Sequence, residues 1–202
     1  MELARLAIVY VHLIACCVAL GLVFMSDLAM VKQLFNGRAS TRFDPAHLAG
    51  LHKTVSFALG ALWISGAAIV SMDFRVMGLD YLANPKLQAK VAIVCVLTLN
   101  GLLLHRAVMP AMTRFGTLLN LPFSRRMLAI FAGSVSATSW FYAALLGVGR
   151  TLNWKYPLVD LLAMYPLMIV GGAAMMVALT RWAKYRIDHE VQSEDKEWMA
   201  YA

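Results

Sequence analysis

Five long apolar runs, separated by short polar connectors, organise the amino-acid sequence. A helix needs about 20 predominantly apolar residues to cross the roughly 30 Å hydrocarbon core of a bilayer, and each run reaches that length. We place the helices near residues 4–31, 51–73, 87–109, 127–148 and 157–182. Gly, Asn and Pro punctuate the connectors between them, as turns require. The pattern predicts an all-α integral membrane protein, a bundle of five transmembrane helices.

One transmembrane domain accounts for nearly all of the chain. Residues 1–185 hold the five helices, and residues 186–202 form a charged tail that we expect to lie in the cytoplasm. Hydrophobic residues make up 61% of the chain and charged residues 14%, whereas soluble domains are roughly half apolar and a quarter charged. The first run is too long for a signal-peptide core, so we expect it to remain as a helix.

Positive residues are distributed unequally between the two ends of the bundle. Twelve of the 18 Lys and Arg residues lie in or beside the first connector, the third connector and the tail, and six lie at the opposite end. The positive-inside rule therefore predicts that the N-terminus lies outside and the C-terminus in the cytoplasm. The membrane that we expect is a bacterial-type inner membrane. The net charge of +7 is scattered between apolar segments, so we expect no nucleic-acid partner.

Several ionisable side chains lie inside or at the ends of the apolar runs. A charge at the centre of a membrane helix costs roughly 2.5–3.5 kcal/mol on insertion scales, so each of these residues needs a partner or a function. Because consecutive helices run in opposite directions, His12 and Lys90 share an outer layer. His52, His105 and Asp27 share an inner layer on the cytoplasmic side. We expect the members of each layer to lie near one another.

Helical spacing predicts which faces these residues share. The third helix carries one stripe, about 22 Å long at 1.5 Å per residue, made of Lys90, Val94, Leu97, Gly101 and His105. The second helix carries a stripe whose later members are all small, made of His52, Ser56, Gly60 and Ala67. Small side chains either let helices pack closely or leave room for a flat ligand, and both interpretations stay open.

Imidazoles on facing helices of a bundle are common axial ligands of haem iron. His12, His52 and His105 are therefore candidate metal ligands and candidate cofactor-binding residues. The expected cofactor is b-type haem, whose apolar macrocycle would fill the space beside the small residues. A histidine at the membrane interface needs no ligand, so a purely structural role for His52 and His105 stays open as well.

Methionine and aspartate residues raise two further hypotheses. The chain has 13 Met residues, including Met109 and Met112 just after His105. Thioethers suit Cu(I), although Met is also a common apolar filler. Asp160 lies near the start of the fifth helix, where it is placed to pair with Lys90. The sequence has no Gly-rich phosphate loop, no CxxC motif and no Ser-His-Asp order.

Two stretches carry a resemblance: VHLIACCVALGLVF, with His12 early in the first helix, and NPKLQAKVAIVCVLTLNGLLLHRAV, with Lys90 early in the third. Over residues 5–115 the chain resembles HemJ-type membrane proteins and the wider CopD-like group. These small helical proteins oxidise protoporphyrinogen IX to protoporphyrin IX and bind b-type haem. The resemblance implies that His12 and Lys90 are the catalytic pair. In this family His12 would ligate or orient the tetrapyrrole, and Lys90 would meet a propionate.

Three functions follow as hypotheses. The first is a membrane-embedded, tetrapyrrole-binding redox protein, with protoporphyrinogen IX oxidation as its enzymatic form. The second is an electron-transfer or accessory subunit of a larger membrane complex, with His52 and His105 as axial haem ligands. The third is a copper-handling membrane protein. The expected partners are the lipid bilayer, a tetrapyrrole and, for so small a bundle, protein partners in a membrane complex or a homo-oligomer.

Overall fold

The protein is all-helical over residues 2–35 and 45–201, which are the residues that the computed structural model describes. No strand occurs in these two ranges. The helices are α1 (Glu2–Phe35), α2 (Pro45–Met77), α3 (Pro85–Leu103), α4 (Met109–Phe115), α5 (Phe123–Val148) and α6 (Leu158–Tyr201). Residues 36–44, which belong to the first predicted connector and include two of its arginines, lie outside the described ranges.

Five helical segments in these ranges are long and apolar enough to cross a membrane. They are Glu2–Phe35, Ala49–Ala83, Pro85–Phe115, Phe123–Val148 and Leu158–His189. The predicted all-α bundle with five membrane-spanning helices is therefore confirmed in its helix number and class. The helices extend further than the apolar runs, because polar residues at their ends continue the helix. Helix α6 accordingly includes most of the predicted tail and ends at Tyr201.

The third spanning segment is built from α3, a π-helical turn at Leu104–Val108 and α4. Helix α3 begins where Asn84 accepts a hydrogen bond from the backbone N–H of Lys86, with Pro85 in the first turn, a position that suits its fixed φ angle. Helix α4 ends at Gly116, whose φ of 79° favours glycine. The π turn matters for the site, because such turns change the direction of the side chains that follow them.

Helix α5 lies at the centre of the bundle. In its most apolar window 44% of the residues are buried, against 6% in α6 and 11% in α1. Its buried face packs on α3, α6 and α1 and carries the polar residues Ser134, Thr138 and Ser139. Large apolar side chains on the other helices point outward, such as Phe57 (80% exposed) and Val170 (65% exposed). Apolar side chains exposed in this way are compatible with contact between the helices and a lipid bilayer.

Candidate functional site

A cavity of about 360 Å³ lies between α1, α2, α3, α5 and α6, towards the end of the bundle that carries α4. We call this the central cavity, and that end the α4 end. Its wall is largely apolar, and its polar members include Ser26, Asp27, His52, Ser56, Ser134 and Thr138. Ligand sites commonly have this character, with volumes of roughly 300–1,000 Å³, apolar walls and a few polar groups. The central cavity is therefore the candidate binding site.

His52 is the imidazole in the wall of the central cavity. Its Nδ1 lies 2.9 Å from Oγ of Ser56, one turn further along α2. Its Nε2 is buried and has no hydrogen-bond partner among the described residues. An unpaired buried nitrogen costs free energy, and metal-ligating histidines usually hold the other ring nitrogen in a hydrogen bond. Both features make His52 suited to binding a metal or a polar ligand atom through Nε2.

His105 lies beside His52, in the π-helical turn after α3. The ring centroids are 4.8 Å apart and the rings are nearly perpendicular, at 77°. If an iron lay between the two imidazoles, the distance between the ring centroids would be the sum of two iron–nitrogen bonds of about 2 Å each and the distance from the nitrogen to the centroid in each ring. The observed spacing is too short for a macrocycle between the rings. His105 is exposed, and it contacts the edge of the site without facing His52 across it.

His12 and Lys90 lie nearer the opposite end of the bundle than the central cavity does. Nδ1 of His12 lies 2.8 Å from Oγ of Ser65, and this pair connects α1 to α2. Lys90 is half-buried, and within the described residues no hydrogen bond or ion pair joins it to His12. Among the described residues that line the central cavity, neither His12 nor Lys90 occurs. Both residues are thus separate from the cavity that His52 lines, and the prediction that they share one site stays a prediction.

The suggested pairing of Lys90 with Asp160 is not formed. Asp160 is exposed, and the ion pair found within residues 2–35 and 45–201 joins Arg5 to Asp73, with Nε and Oδ1 2.9 Å apart. The hydroxyl of Tyr81 also donates to Asp73, at 3.0 Å. This cluster ties the start of α1 to the end of α2. Opposite charges at equal depth on adjacent helices were the sequence signal for it.

Lys86 is a second residue whose role the sequence does not reveal. Its side chain is buried, and Nζ donates to the backbone oxygen of Gly149 at 2.7 Å. This bond joins the start of α3 to the residue that follows α5. A carbonyl acceptor leaves no trace in a residue pattern, so its partner is visible only in the folded chain.

The stripe predicted on α2 is only partly correct. His52 and Ser56 line the central cavity, but Gly60 and Ala67 are exposed. Four residues advance a helix by about 40° more than one turn, so steps of four residues carry the stripe away from the cavity. The face that lines the cavity mixes steps of three and four, through Val55 and Leu59. On α3 the mixed spacing holds, and Leu97 and Gly101 do line the cavity.

Metal-binding side chains of the usual kinds do not cluster in the part of the chain that the structure describes. Within the described ranges, no group of three or more His, Cys, Asp and Glu residues could hold a metal ion. Thioethers are more concentrated, since five methionines line the central cavity together with His52: Met30, Met109, Met112, Met175 and Met176. A site here would combine one imidazole with soft sulfur ligands or with a prosthetic group.

The fold and the cavity define the chain as a bundle of α-helices, five of them able to cross a membrane, around a largely apolar cavity with one imidazole in its wall. No protein-family model matches the chain, and no curated protein or solved structure matches it significantly. Its function therefore has to be argued from its own residues.

Proposed function

We propose that the chain is a membrane-embedded redox protein that binds b-type haem in the central cavity, with His52 as an axial ligand. The observation that carries the proposal is the buried Nε2 of His52, which lacks a partner among the described residues. Neutral imidazole is a common axial ligand of haem iron. A buried nitrogen without a partner in the protein calls for a water, an ion or a ligand that satisfies it, and in this proposal haem iron is that ligand.

The residues around His52 fit a flat, apolar prosthetic group. The cavity volume of about 360 Å³ falls within the range of ligand sites. Gly101, Gly133 and Gly172 line its wall and leave width for a planar molecule. Haem would supply the electron transfer, whereas the protein supplies position and an apolar surrounding. Ser56 would orient the imidazole through Nδ1, and His105 would support the ring from its edge.

His12 and Lys90 connect the proposal to protoporphyrinogen IX oxidation, its enzymatic form. Their similar predicted depth in the bundle supports a shared site for a tetrapyrrole substrate, in which Lys90 would meet a propionate as a point charge. His12 would orient the substrate while Ser65 holds Nδ1. An electron-transfer or accessory subunit of a larger complex is the form without this second site. In that form His52 alone, rather than the His52 and His105 pair, supplies an imidazole.

Copper handling is the second candidate function. It is favoured by the five methionines that share the central cavity with His52, because thioether and imidazole ligands suit Cu(I). Haem and copper make different optical predictions, since haem proteins absorb strongly in the visible range and a Cu(I) protein is colourless.

Purified protein tests the haem proposal through its visible spectrum and its haem content per chain. We expect a sharp reduced α-band in the native protein and loss of most haem in His52→Ala. Ser56→Ala should weaken haem binding by about tenfold, as changes at hydrogen-bond partners of metal ligands commonly do.

His105→Ala should lower haem content or thermal stability more than His189→Ala, the matched control, because His189 is exposed in the distal part of α6. A colourless protein, or full haem content in His52→Ala, would contradict the proposal.

We also propose that the protein lies in a bacterial-type inner membrane, with the N-terminus outside and the α4 end on the cytoplasmic side. The support is the unequal distribution of positive residues along the sequence, because twelve of the 18 lie in or beside the first connector, the third connector and the tail. Cytoplasmic loops carry such an excess because cations are not readily translocated. The central cavity would then lie in the cytoplasmic half of the membrane.

A further inference from the structure

A second cleft, of about 260 Å³, lies between the start of α5 and the later part of α6, at the α4 end. We call it the basic cleft, because its wall includes Arg126, Arg181 and Lys184 against a single acidic residue, Asp188. The remaining wall residues are Phe123, Met127, Val177, Thr180 and Tyr185. Three cations with one anion leave an uncompensated positive charge, so the cleft is suited to an anion.

Arg126 is the residue that gives this cleft a specific geometry. Its Nε is buried and has no hydrogen-bond partner within the described part of the chain. The guanidinium carbon lies 5.9 Å from the centroid of the Phe123 ring, which is a cation–π distance. Guanidinium groups bind phosphate through parallel N–H bonds. An arginine held against a ring, with a buried donor to spare, is ready for such a ligand.

The start of α5 adds to the positive potential of the basic cleft. Helix α5 has 26 residues, and its cap residue Pro122 makes no side-chain cap hydrogen bond. The first N–H groups of a helix carry partial positive charge and attract anions when nothing caps them. Phe123, Arg126 and Met127 of this first part of α5 all line the cleft. The helix end and the three cations therefore act on the same volume.

The basic cleft is also amphipathic along the length of α6. Val177 and Met127 lie on the side of the bundle interior, whereas Lys184 and Asp188 lie further along α6, towards its end. Arg181 and Lys184 are exposed. A ligand with an apolar part and an anionic head would match both ends of this cleft. Basic pockets between membrane helices bind anionic lipid head groups in this manner.

We propose that the basic cleft binds the phosphate-bearing head group of an anionic phospholipid, with Arg126 and Lys184 contacting the phosphate and Met127 and Val177 contacting an acyl chain. This site is separate from the central cavity and does not depend on the proposed haem function. The shared chemistry is a phosphate, which either a lipid or a soluble phosphate compound presents. The apolar wall beside the cations favours the lipid.

The test measures the melting temperature of the full-length protein in a neutral detergent while one ligand is titrated. The ligands are phosphatidylglycerol, phosphatidylcholine and inorganic phosphate. We expect phosphatidylglycerol to raise the melting temperature, because a ligand that binds the folded state stabilises it. Phosphatidylcholine and inorganic phosphate at equal concentration should leave it unchanged. The concentration of half-saturation gives the apparent affinity.

Arg126→Gln and Arg125→Gln form the matched pair of variants. Both lose one positive charge from the first turn of α5, but Arg125 is exposed and is not among the described residues that line the cleft. Loss of one surface charge should weaken binding by no more than about fivefold. Arg126→Gln should weaken it by at least about tenfold more, since a hydrogen bond to a charged group is also lost. Lys184→Gln removes the other proposed phosphate contact, and it should also weaken phosphatidylglycerol binding. Because Lys184 is exposed on α6, this variant should leave the fold intact.

Three outcomes would overturn the proposal. The first is a native protein whose melting temperature does not respond to phosphatidylglycerol. The second is an equal loss of affinity in Arg126→Gln and Arg125→Gln, which would mean that the whole basic surface attracts the lipid. The third is a response to inorganic phosphate alone that disappears in Arg126→Gln, which would assign the cleft to a soluble phosphate compound.

Discussion

Polar side chains inside the bundle fall into two groups that differ in how they are satisfied. His12 has a serine partner on the neighbouring helix. His52 has one satisfied nitrogen and one buried nitrogen without a partner among the described residues. Polar groups in hydrocarbon are costly unless they are paired. His12 is therefore joined to its neighbouring helix through Nδ1, whereas the buried Nε2 of His52 is available to a ligand.

Substitutions at Lys90 and His12 test whether the two residues bind the same ligand. Lys90→Met keeps the length and the apolar stem of the side chain, so packing should survive. If the two residues bind one tetrapyrrole, Lys90→Met and His12→Ala should each weaken binding by about tenfold or more. The double variant should be little worse than either, because residues that serve one site are not additive. Small and additive effects would instead identify Lys90 as a residue that reaches the interface by its flexible stem.

Helix α5 holds the elements of the bundle together through polar contacts as well as packing. Nδ2 of Asn100 in α3 donates to the backbone oxygen of Ala132 in α5, at 2.9 Å. The hydroxyl of Tyr142 in α5 donates to the backbone oxygen of Leu161 in α6, at 2.7 Å. Interhelical hydrogen bonds in membranes contribute modestly, because the unfolded helices also find partners. Their main effect here is to set the rotation of three helices about their axes.

Asn100→Leu tests this contribution at nearly constant side-chain volume. Asn100 is buried, and we expect the free energy of unfolding to fall by about 0.6 kcal/mol and at most by about 1.7 kcal/mol. Thr54→Val is the control, because the exposed Thr54 donates only within its own helix, to the backbone oxygen of Gly50. Reversible unfolding in mixed detergent measures both variants. A control that loses as much stability as Asn100→Leu would contradict the assigned role.

The described part of the molecule has an apolar exterior, and its two ends carry different polar sites. Exposed apolar side chains such as Phe57 on α2, Leu99 on α3 and Val170 on α6 occur on different helices, so the bundle offers lipid contact on several sides. The α4 end carries the central cavity and the basic cleft. The opposite end carries the Arg5–Asp73 ion pair and the buried Lys86. The central cavity and the basic cleft thus lie at the same end of the bundle.

Reporter fusions test the orientation of the molecule. A fluorescent protein fused after position 202 should fluoresce, because the proposed orientation, drawn from the unequal distribution of positive residues, has that end in the cytoplasm. Alkaline phosphatase at the same position should be inactive, and it should be active when inserted in the connector between α5 and α6. The reverse pattern of activities would overturn the orientation and move both ligand sites to the outer half of the membrane.

Length and hydropathy are sufficient to predict five helices that are able to span a membrane, and the structure confirms that number in its described ranges. The rise per residue then predicts which polar residues lie at similar depth. His52 and His105 were therefore expected in one layer, and their rings are in contact. The shared layer of His12 and Lys90 stays a prediction.

The rotation of each helix about its axis and the hydrogen-bond partners of its polar atoms become visible only in the folded chain. These helices are apolar on nearly every side, so periodicity does not mark a buried face as it does in a soluble protein. The outward rotation of Gly60 and Ala67, the edge-on contact of His105 and the bond from Lys86 to Gly149 all depend on packing between helices. The central cavity and the basic cleft arise in the same way, because a cavity is the space that several helices leave between them and belongs to none of their sequences alone.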